Sequence, residues 1–230
     1  MERLLHKHRK GQLILALRGA VTCRVPQAIW LVPPQHAVWI PGATSHSCSA
    51  TVNADTYFLF IEPNAAAMPD KCCTLSITPL VRELIRYLAD LEPAYLTNEP
   101  TGRVITVLLE HLASATIEKL HLPTSDNPKI RQISDALIAD PSDRTTLRQW
   151  SEKLATSERS LARLVENSTG LTFGRWRRQL HLMIALSQLA EGHSVQNVAG
   201  NLGYESVNAF ITMFTKALGK SPTQYFASLQ

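Results

Sequence analysis

The chain has 230 residues, of which 45% are apolar and 18% charged, and a formal net charge of +4. That length allows one to two domains with ample core, and the composition excludes intrinsic disorder and collagen-like repetition. No apolar run approaches a membrane span or a signal-peptide core, since the longest early one, Leu13 to Leu17, ends at Arg18.

The first 63 residues read as strands and turns. Leu13–Leu17, Ala20–Val25, Ile29–Val32, Ala37–Ile40 and Thr56–Ile61 are short runs rich in β-branched and aromatic residues, punctuated by Pro26, Pro33-Pro34, Pro41-Gly42 and Pro63-Asn64. Their spacing predicts a small antiparallel barrel or sandwich. Two histidine spacings lie within it, His6-x-His8-x3-Gln12-x6-Gly19 and Pro41-x-Ala43-x2-His46. Cys23, Cys48, Cys72 and Cys73 show no CxxC spacing and predict no disulfide framework, which fits a reducing cytoplasm.

From about Thr78 the apolar period becomes helical. Leu80, Val81, Leu84, Ile85 and Leu88 predict one amphipathic helix, and Val104, Ile105, Leu108, Leu109 and Leu112 a second, with a Pro- and Asn-bearing loop between. The segment Leu122–Pro128 reads as an interdomain linker, and everything after it as helical. The expected division is a β domain over 1–64, a helical linker or dimerisation segment over 65–127 and an all-α domain over 128–230. Thr146-Leu147-Arg148-Gln149 and Ser221-Pro222-Thr223-Gln224 fit capping boxes, and Gly170, Gly192 and Gly219 stand where helix C-caps are expected.

The all-α half contains a repeat. Trp150-Ser151-Glu152-Lys153-Leu154-Ala155 aligns with Val198-Ala199-Gly200-Asn201-Leu202-Gly203 at an offset of 48. After one extra turn residue, Glu205, the offset is 49: Ser157, Leu161, Leu164, Val165, Gly170 and Thr172 match Ser206, Phe210, Met213, Phe214, Gly219 and Ser221. Each unit is a helix, a short turn, a Ser cap and a second helix closed by Gly. That is the layout of a helix-turn-helix, predicted here over 147–168 and 195–218, although a plain bundle with two similar hairpins shares the pattern.

Charge follows the repeat. Residues 1–127 carry 11 Lys or Arg against 11 Asp or Glu, whereas residues 128–230 carry 12 against 8, the whole +4. Such asymmetry points to a polyanionic partner for the second half, and a solvated basic face is the alternative. Between the units a long helix is predicted from Thr172-Phe173, opening with Arg175-Trp176-Arg177-Arg178. Two readers about 34 Å apart would meet successive major grooves on one face of DNA.

The runs SERSLARLVENSTGLTFGRWRRQL and NVAGNLGYESVNAFITMFTKALGKSPTQYF resemble the DNA-binding domain of AraC/XylS-type transcription regulators. The second holds that family's pattern of Gly-Tyr, a Ser cap, two Phe and Gly-x-Ser-Pro, and the resemblance covers about 100 residues of the chain. It implies base contacts from Arg159, Ala162 and Arg163 on the first recognition helix. Spacing agrees, because Arg159 and Arg163 are four apart and share a face. On the second helix the outward positions are the uncharged Val207, Asn208, Ile211 and Thr212, where many family members carry a basic residue at the position of Thr212. Arginine reads guanine, Asn208 suits adenine, and Ile211 or Thr212 suits a thymine methyl, so the first unit is expected to discriminate and the second to dock. Ser157, Ser206, Arg175, Arg178 and Lys220 are expected phosphate contacts, with solvated surface as the alternative. Trp150, Phe173, Trp176, Phe210 and Phe214 fall on the inward period and are expected in the core.

The two histidine spacings resemble the first and second motifs of cupin barrels, in which three His and a Glu bind a divalent metal. Gln12 replaces that Glu and Ala43 replaces a Gly, so neither a metal nor another cofactor is expected. His6, His8, Gln12 and His46 are expected instead to line an organic-effector pocket, with a merely structural barrel as the alternative. Only five residues precede His6, so strands that normally precede this motif are expected to be missing, through a shortened chain or a true start upstream. The expected fold is therefore α+β: an incomplete cupin-like β-barrel, a helical linker and an all-α domain with two helix-turn-helix units. The resemblance implies a cytoplasmic, non-enzymatic regulator, activator or repressor, that controls a nearby exporter gene. Its expected partners are double-stranded promoter DNA, a small-molecule effector, RNA polymerase and a second copy in a homodimer, with no membrane. The alternative is a metal-dependent cupin enzyme with a helical appendage.

Overall fold

The computed structural model describes residues 2–34, 36–91, 98–118 and 120–227. They divide into two compact units, one of residues 1–25 and 30–120, the other of residues 26–29 and 121–230.

The first unit is built on two sheets. Strands β1 (Glu2–His6), β6 (His46–Ala50), β3 (Val21–Val25) and β4 (Ala28–Val32) follow one another in one sheet, and the other runs β7 (Asp55–Ile61), β2 (Gly11–Arg18), β5 (His36–Ile40), β8 (Cys73–Ser76), β9 (Ile117–Glu118). The pair does not close into a barrel, in agreement with the incomplete barrel expected. In β2 the unbroken apolar run of the sequence has a structural cause. Leu13 and Leu15 pack on the outer face against helices α1 (Pro79–Ala89) and α2 (Pro100–Ala113), while Ile14 and Ala16 are buried on the inner one. A strand covered on both faces loses the apolar–polar alternation of a half-exposed one.

Val81 and Ile85 of α1 and Leu108 and Leu112 of α2 complete that outer core. Leu80 departs from the predicted inward stripe: it occupies the second helical position after the Thr78 cap and is 50% exposed. Of the loop predicted between the two helices, residues 92–97 lie outside the described residues. Strands β1, β6 and β8 were not predicted; His46-Ser-Cys-Ser-Ala50 is too polar to read as a strand.

From residue 121 on, the second unit is helical apart from β10 (His121–Pro123), which lies in the segment read as linker. Helices α3 (Pro128–Ala139), α4 (Leu147–Lys153), α5 (Glu158–Thr169), α6 (Phe173–Ala190), α7 (Val195–Asn201), α8 (Val207–Leu218) and α9 (Pro222–Ala227) follow. The capping residues define several of these ends. Thr146 and Gln149 form both bonds of a capping box before α4. Ser221 and Gln224 do the same before α9, with Pro222 at its first position. Gly170 and Gly219 close α5 and α8 in the left-handed conformation, with φ of 71° and 74°. Trp176 is 1% exposed and its indole N–H donates to the Pro123 carbonyl at 2.9 Å, anchoring α6 on β10.

Candidate functional site

The two predicted repeats superpose hydrogen bond by hydrogen bond. Thr156 N donates to Ser151 O at 3.0 Å, and Tyr204 N to Ala199 O at 2.9 Å, an offset of 48. Ser157 Oγ accepts from Ser160 N, and Ser206 Oγ from Ala209 N, both at 3.2 Å and now at an offset of 49. In each unit the residue turning from first helix to second is left-handed: Ala155 at φ 48° and Gly203 at φ 70°.

Behind each second helix lies an apolar wall. Leu161 and Val165 of α5 are buried, as are Phe210 and Phe214 of α8, the latter in an aromatic chain from Tyr204 to Tyr225 with ring centroids 5.6 to 6.0 Å apart. The wall fixes which face looks outward. On α5 that face carries Arg159 and Arg163, both exposed, with Ala162 half-buried beside them. Neither arginine has a hydrogen-bond or ion-pair partner among the described residues. On α8 it carries exposed Asn208 and Thr212 and half-buried Val207 and Ile211. The Thr212 hydroxyl donates to the Asn208 carbonyl at 2.8 Å, so its proton is committed within the helix and an acceptor oxygen and a methyl are left to offer.

The basic run on α6 divides by role. Arg175 and Arg178 are exposed, as is Lys220 after the α8 cap. Arg177, which sequence reading did not single out, is half-buried: its guanidinium donates to the Thr145 carbonyl and lies 4.8 Å from the Phe173 ring centroid. It ties α6 to the entry of α4, and only its neighbours are free to reach outward. Trp150 (4% exposed), Phe210 and Phe214 are core residues as expected, and Phe173 is half-buried under Arg177.

Residues 150–228 match the family model described as a helix-turn-helix domain. The HTH-type transcriptional regulator NimR of Escherichia coli is 52% identical over 225 residues, covering 98% of this chain and 82% of that protein. This chain belongs to the AraC/XylS family of transcriptional regulators. The regulator RipA of Corynebacterium glutamicum is 30% identical over 107 residues, 45% of this chain and 32% of its own length. Among solved structures, ToxT of Vibrio cholerae aligns over 98% of this chain and 94% of its own, at 12% identity and a TM-score of 0.45. As a member of the AraC/XylS family the chain is a DNA-binding helix-turn-helix regulator, and no described helix is long and apolar enough to cross a membrane.

In the first unit the four residues singled out for the effector pocket do come together. The rings of His6, His8 and His46 have centroids 4.4 to 5.7 Å apart. Gln12 Oε1 lies 3.0 Å from His8 Nε2 and 2.9 Å from His46 Nε2. Gln12 and His46 are buried, while His6 and His8 are half-buried. Burial holds the His46 pKa below its ordinary value, and the neighbouring His6 and His8 add to that. Along the same face of β6, Cys48 and Ala50 follow His46 and line a cavity of about 360 Å³ with Val21, Thr56 and Phe58. The Cys48 thiol donates to Cys23 Sγ at 3.0 Å. No side chain lining the cavity is ionisable apart from the Cys48 thiol, and Phe58 of its lining is 40% exposed.

Proposed function

We propose that this regulator binds a specific operator through two helix-turn-helix units and is controlled by a small molecule held between the sheets of its first unit. Arg159, Ala162 and Arg163 read bases, and so do Val207, Asn208, Ile211 and Thr212 in the weaker second unit. Ser157, Ser206, Arg175, Arg178 and Lys220 hold phosphates. The observation carrying this reading is the pair Arg159 and Arg163, exposed without partners on a helix whose other face is fully buried. A guanidinium held out in this way is free to make a bidentate contact with guanine.

His6, His8, Gln12 and His46, with the adjoining cavity, are the proposed effector site. Occupancy changes transcription by favouring one DNA-competent arrangement over another. A homodimer, contact with RNA polymerase and a neighbouring exporter gene as target complete the proposal; the 52% identity to NimR over nearly the whole chain supports the regulatory part.

Footprinting of the full chain on DNA upstream of its own and adjacent genes tests it, with a scrambled duplex at the same salt as control. One protected site at least about 10³-fold tighter than the scrambled duplex is expected. Equal affinity for both duplexes would make the protein an architectural binder and end the operator reading.

A further inference from the structure

Two sulfur atoms meet inside the first unit. Cys23 of β3 and Cys48 of β6 are directly opposite each other in the antiparallel ladder, with Thr22 facing Ser49 and Arg24 facing Ser47 on either side. Such ladders alternate hydrogen-bonded with non-hydrogen-bonded pairs. One step beyond the Val21–Ala50 pair, Thr51 N donates to Ala20 O at 3.0 Å, so Ala20 and Thr51 form a pair of the first kind. Counting along the strand makes Cys23–Cys48 a pair of the second kind. In these the Cα atoms are about 4.5 Å apart and the side chains are at their closest. That spacing lies within the range a disulfide needs. The two Sγ atoms are 3.0 Å apart, and both residues are buried, at 0% and 8% exposure.

A buried cysteine commonly serves as a small apolar side chain, and one alone would carry no further meaning. Two features separate this pair from that role. Its members meet through an S–H···S contact and not through carbon packing. Cys48 also lines the cavity of about 360 Å³, together with Thr56 and Phe58, whereas Cys23 does not. A small molecule in the cavity therefore meets Cys48 first and reaches Cys23 only through it. The bond to Cys48, with burial added, holds the Cys23 thiol well above its ordinary pKa, so Cys23 keeps its proton while Cys48 reacts.

We propose that Cys23 and Cys48 are a reversible redox pair, oxidised to a cross-strand disulfide by a hydroperoxide small enough to enter the cavity. The Cys48 sulfur attacks the terminal oxygen of the hydroperoxide and the O–O bond breaks. Cys48 becomes a sulfenic acid, and the alcohol leaves with the thiol proton. The Cys23 sulfur then attacks the Cys48 sulfur. An S–S bond forms, the S–O bond breaks, and the hydroxyl leaves as water with the Cys23 proton. In sum, two thiols lose two hydrogens and two electrons, and the hydroperoxide is reduced to one alcohol and one water. Closing the sulfurs from 3.0 Å to the roughly 2.05 Å of a disulfide draws Cys48 away from the cavity wall, two residues along β6 from His46. The disulfide itself stands apart from the sensor reading of this cavity; its effect on DNA binding rests on that reading.

The test uses the full chain, reduced with dithiothreitol, desalted and exposed to hydrogen peroxide. Trypsin places Cys23 on residues 19–24, Cys48 on residues 25–71 and Cys72 with Cys73 on residues 72–82, so mass spectrometry distinguishes every pairing. Peptide 19–24 joined to peptide 25–71 is expected, lighter by two hydrogens than the two apart and released again by dithiothreitol. The wild-type map decides the question even where a variant does not fold. Cys23→Ala should stop the reaction at its first step, with dimedone trapping a sulfenic acid on Cys48. Cys48→Ala should slow oxidation at Cys23 roughly 100-fold, because the accessible thiol is gone. Circular dichroism checks the fold of both variants. A chain carrying Cys72→Ala and Cys73→Ala should form the same link at the wild-type rate. Linkage through Cys72 or Cys73 overturns the pair, as does peroxide that oxidises Cys72 while Cys23 and Cys48 both stay thiols. Affinity for the footprinted upstream DNA is then compared between the reduced and oxidised protein. A change of about 5-fold or more is expected, and it should vanish in Cys23→Ala. Equal affinities with the disulfide formed keep the redox pair and remove its link to the sensor.

Discussion

At the residue level, the two recognition helices differ in what they can say to a base. Under the proposed roles Arg163 offers a charged two-pronged donor, whereas Thr212 has its hydroxyl proton on Asn208 O and offers only an acceptor oxygen and a methyl, which leaves Asn208 as the one group able both to donate and to accept. Arg163→Ala is therefore expected to cost about 1–3 kcal/mol at the operator and to relax specificity at one base pair. Asn208→Ala should cost less, and competition titrations that rank the two the other way would reverse the assigned roles. The family resemblance points to Arg159 and Arg163 as readers, and what was legible from spacing is their shared outward face, opposite the inward stripe of Leu161 and Val165. Arg177 was not, since nothing in a run of three arginines says which one bends back to a carbonyl. His181 was equally hidden. Burial, with Arg177 nearby, pushes its pKa down to about 4, far below its ordinary 6.5. A depressed histidine pKa means that the unfolded chain binds the proton more readily. Its contribution is complete above pH 6.5 and is lost as pH falls toward 4, with a limit of about 3 kcal/mol. His181→Phe should lose less thermal stability than the wild type between pH 7 and 4.5, and parallel curves would place the acid sensitivity elsewhere.

At the level of elements, the repeat explains why the two turns can be compared directly. Ala155 and Gly203 stand at equivalent places and both have positive φ, yet only one of them is glycine. A left-handed residue with a Cβ costs roughly 1–2 kcal/mol. Ala155→Gly should accordingly stabilise the first helix-turn-helix by about 1 kcal/mol in chemical denaturation. Gly203→Ala should destabilise the second by more than that, because its new Cβ would also lie 3.0 Å from the Ser142 carbonyl oxygen. Gly170→Ala provides the comparison: its φ is 71° but its Cβ would meet nothing within 4 Å. Equal losses at Gly170 and Gly203 would show that the Ser142 contact carries no weight. The sequence alignment already paired Ala155 with Gly203, and helix ends with Ser, Thr, Pro or Gly signals were visible in advance. The strands were harder to read. β2 is covered on both faces and lost its alternation, and β6 is polar because it carries His46 and the cavity wall rather than a core.

At the level of the whole molecule, the charge division makes a quantitative demand. All of the +4 lies in residues 128–230, while residues 1–127 are balanced. If DNA is held by the basic half alone, each phosphate contact releases counterions, and log affinity falls with log salt by about 0.9 per contact. Arg175 and Arg178 are exposed while Arg177 is held at Thr145, so removing the first two should change the slope and removing the third should change stability. Arg175→Ala is expected to lower the salt slope by about 1 while weakening operator and scrambled duplex alike. Lys71→Gln, in the balanced half, should leave the slope untouched. Titrations of the full chain between 50 and 200 mM salt measure both. A slope that responds to Lys71 would mean that the first unit also touches DNA, and the division of labour drawn from the charge would have to be abandoned. If Arg175 and Arg178 move the slope and Lys71 does not, Lys71 makes no phosphate contact, and the first unit is left to act through its effector or through contacts with protein partners. The chemistry at His6, His8, Gln12 and His46 would then act on the same DNA-holding surface without adding a contact to it.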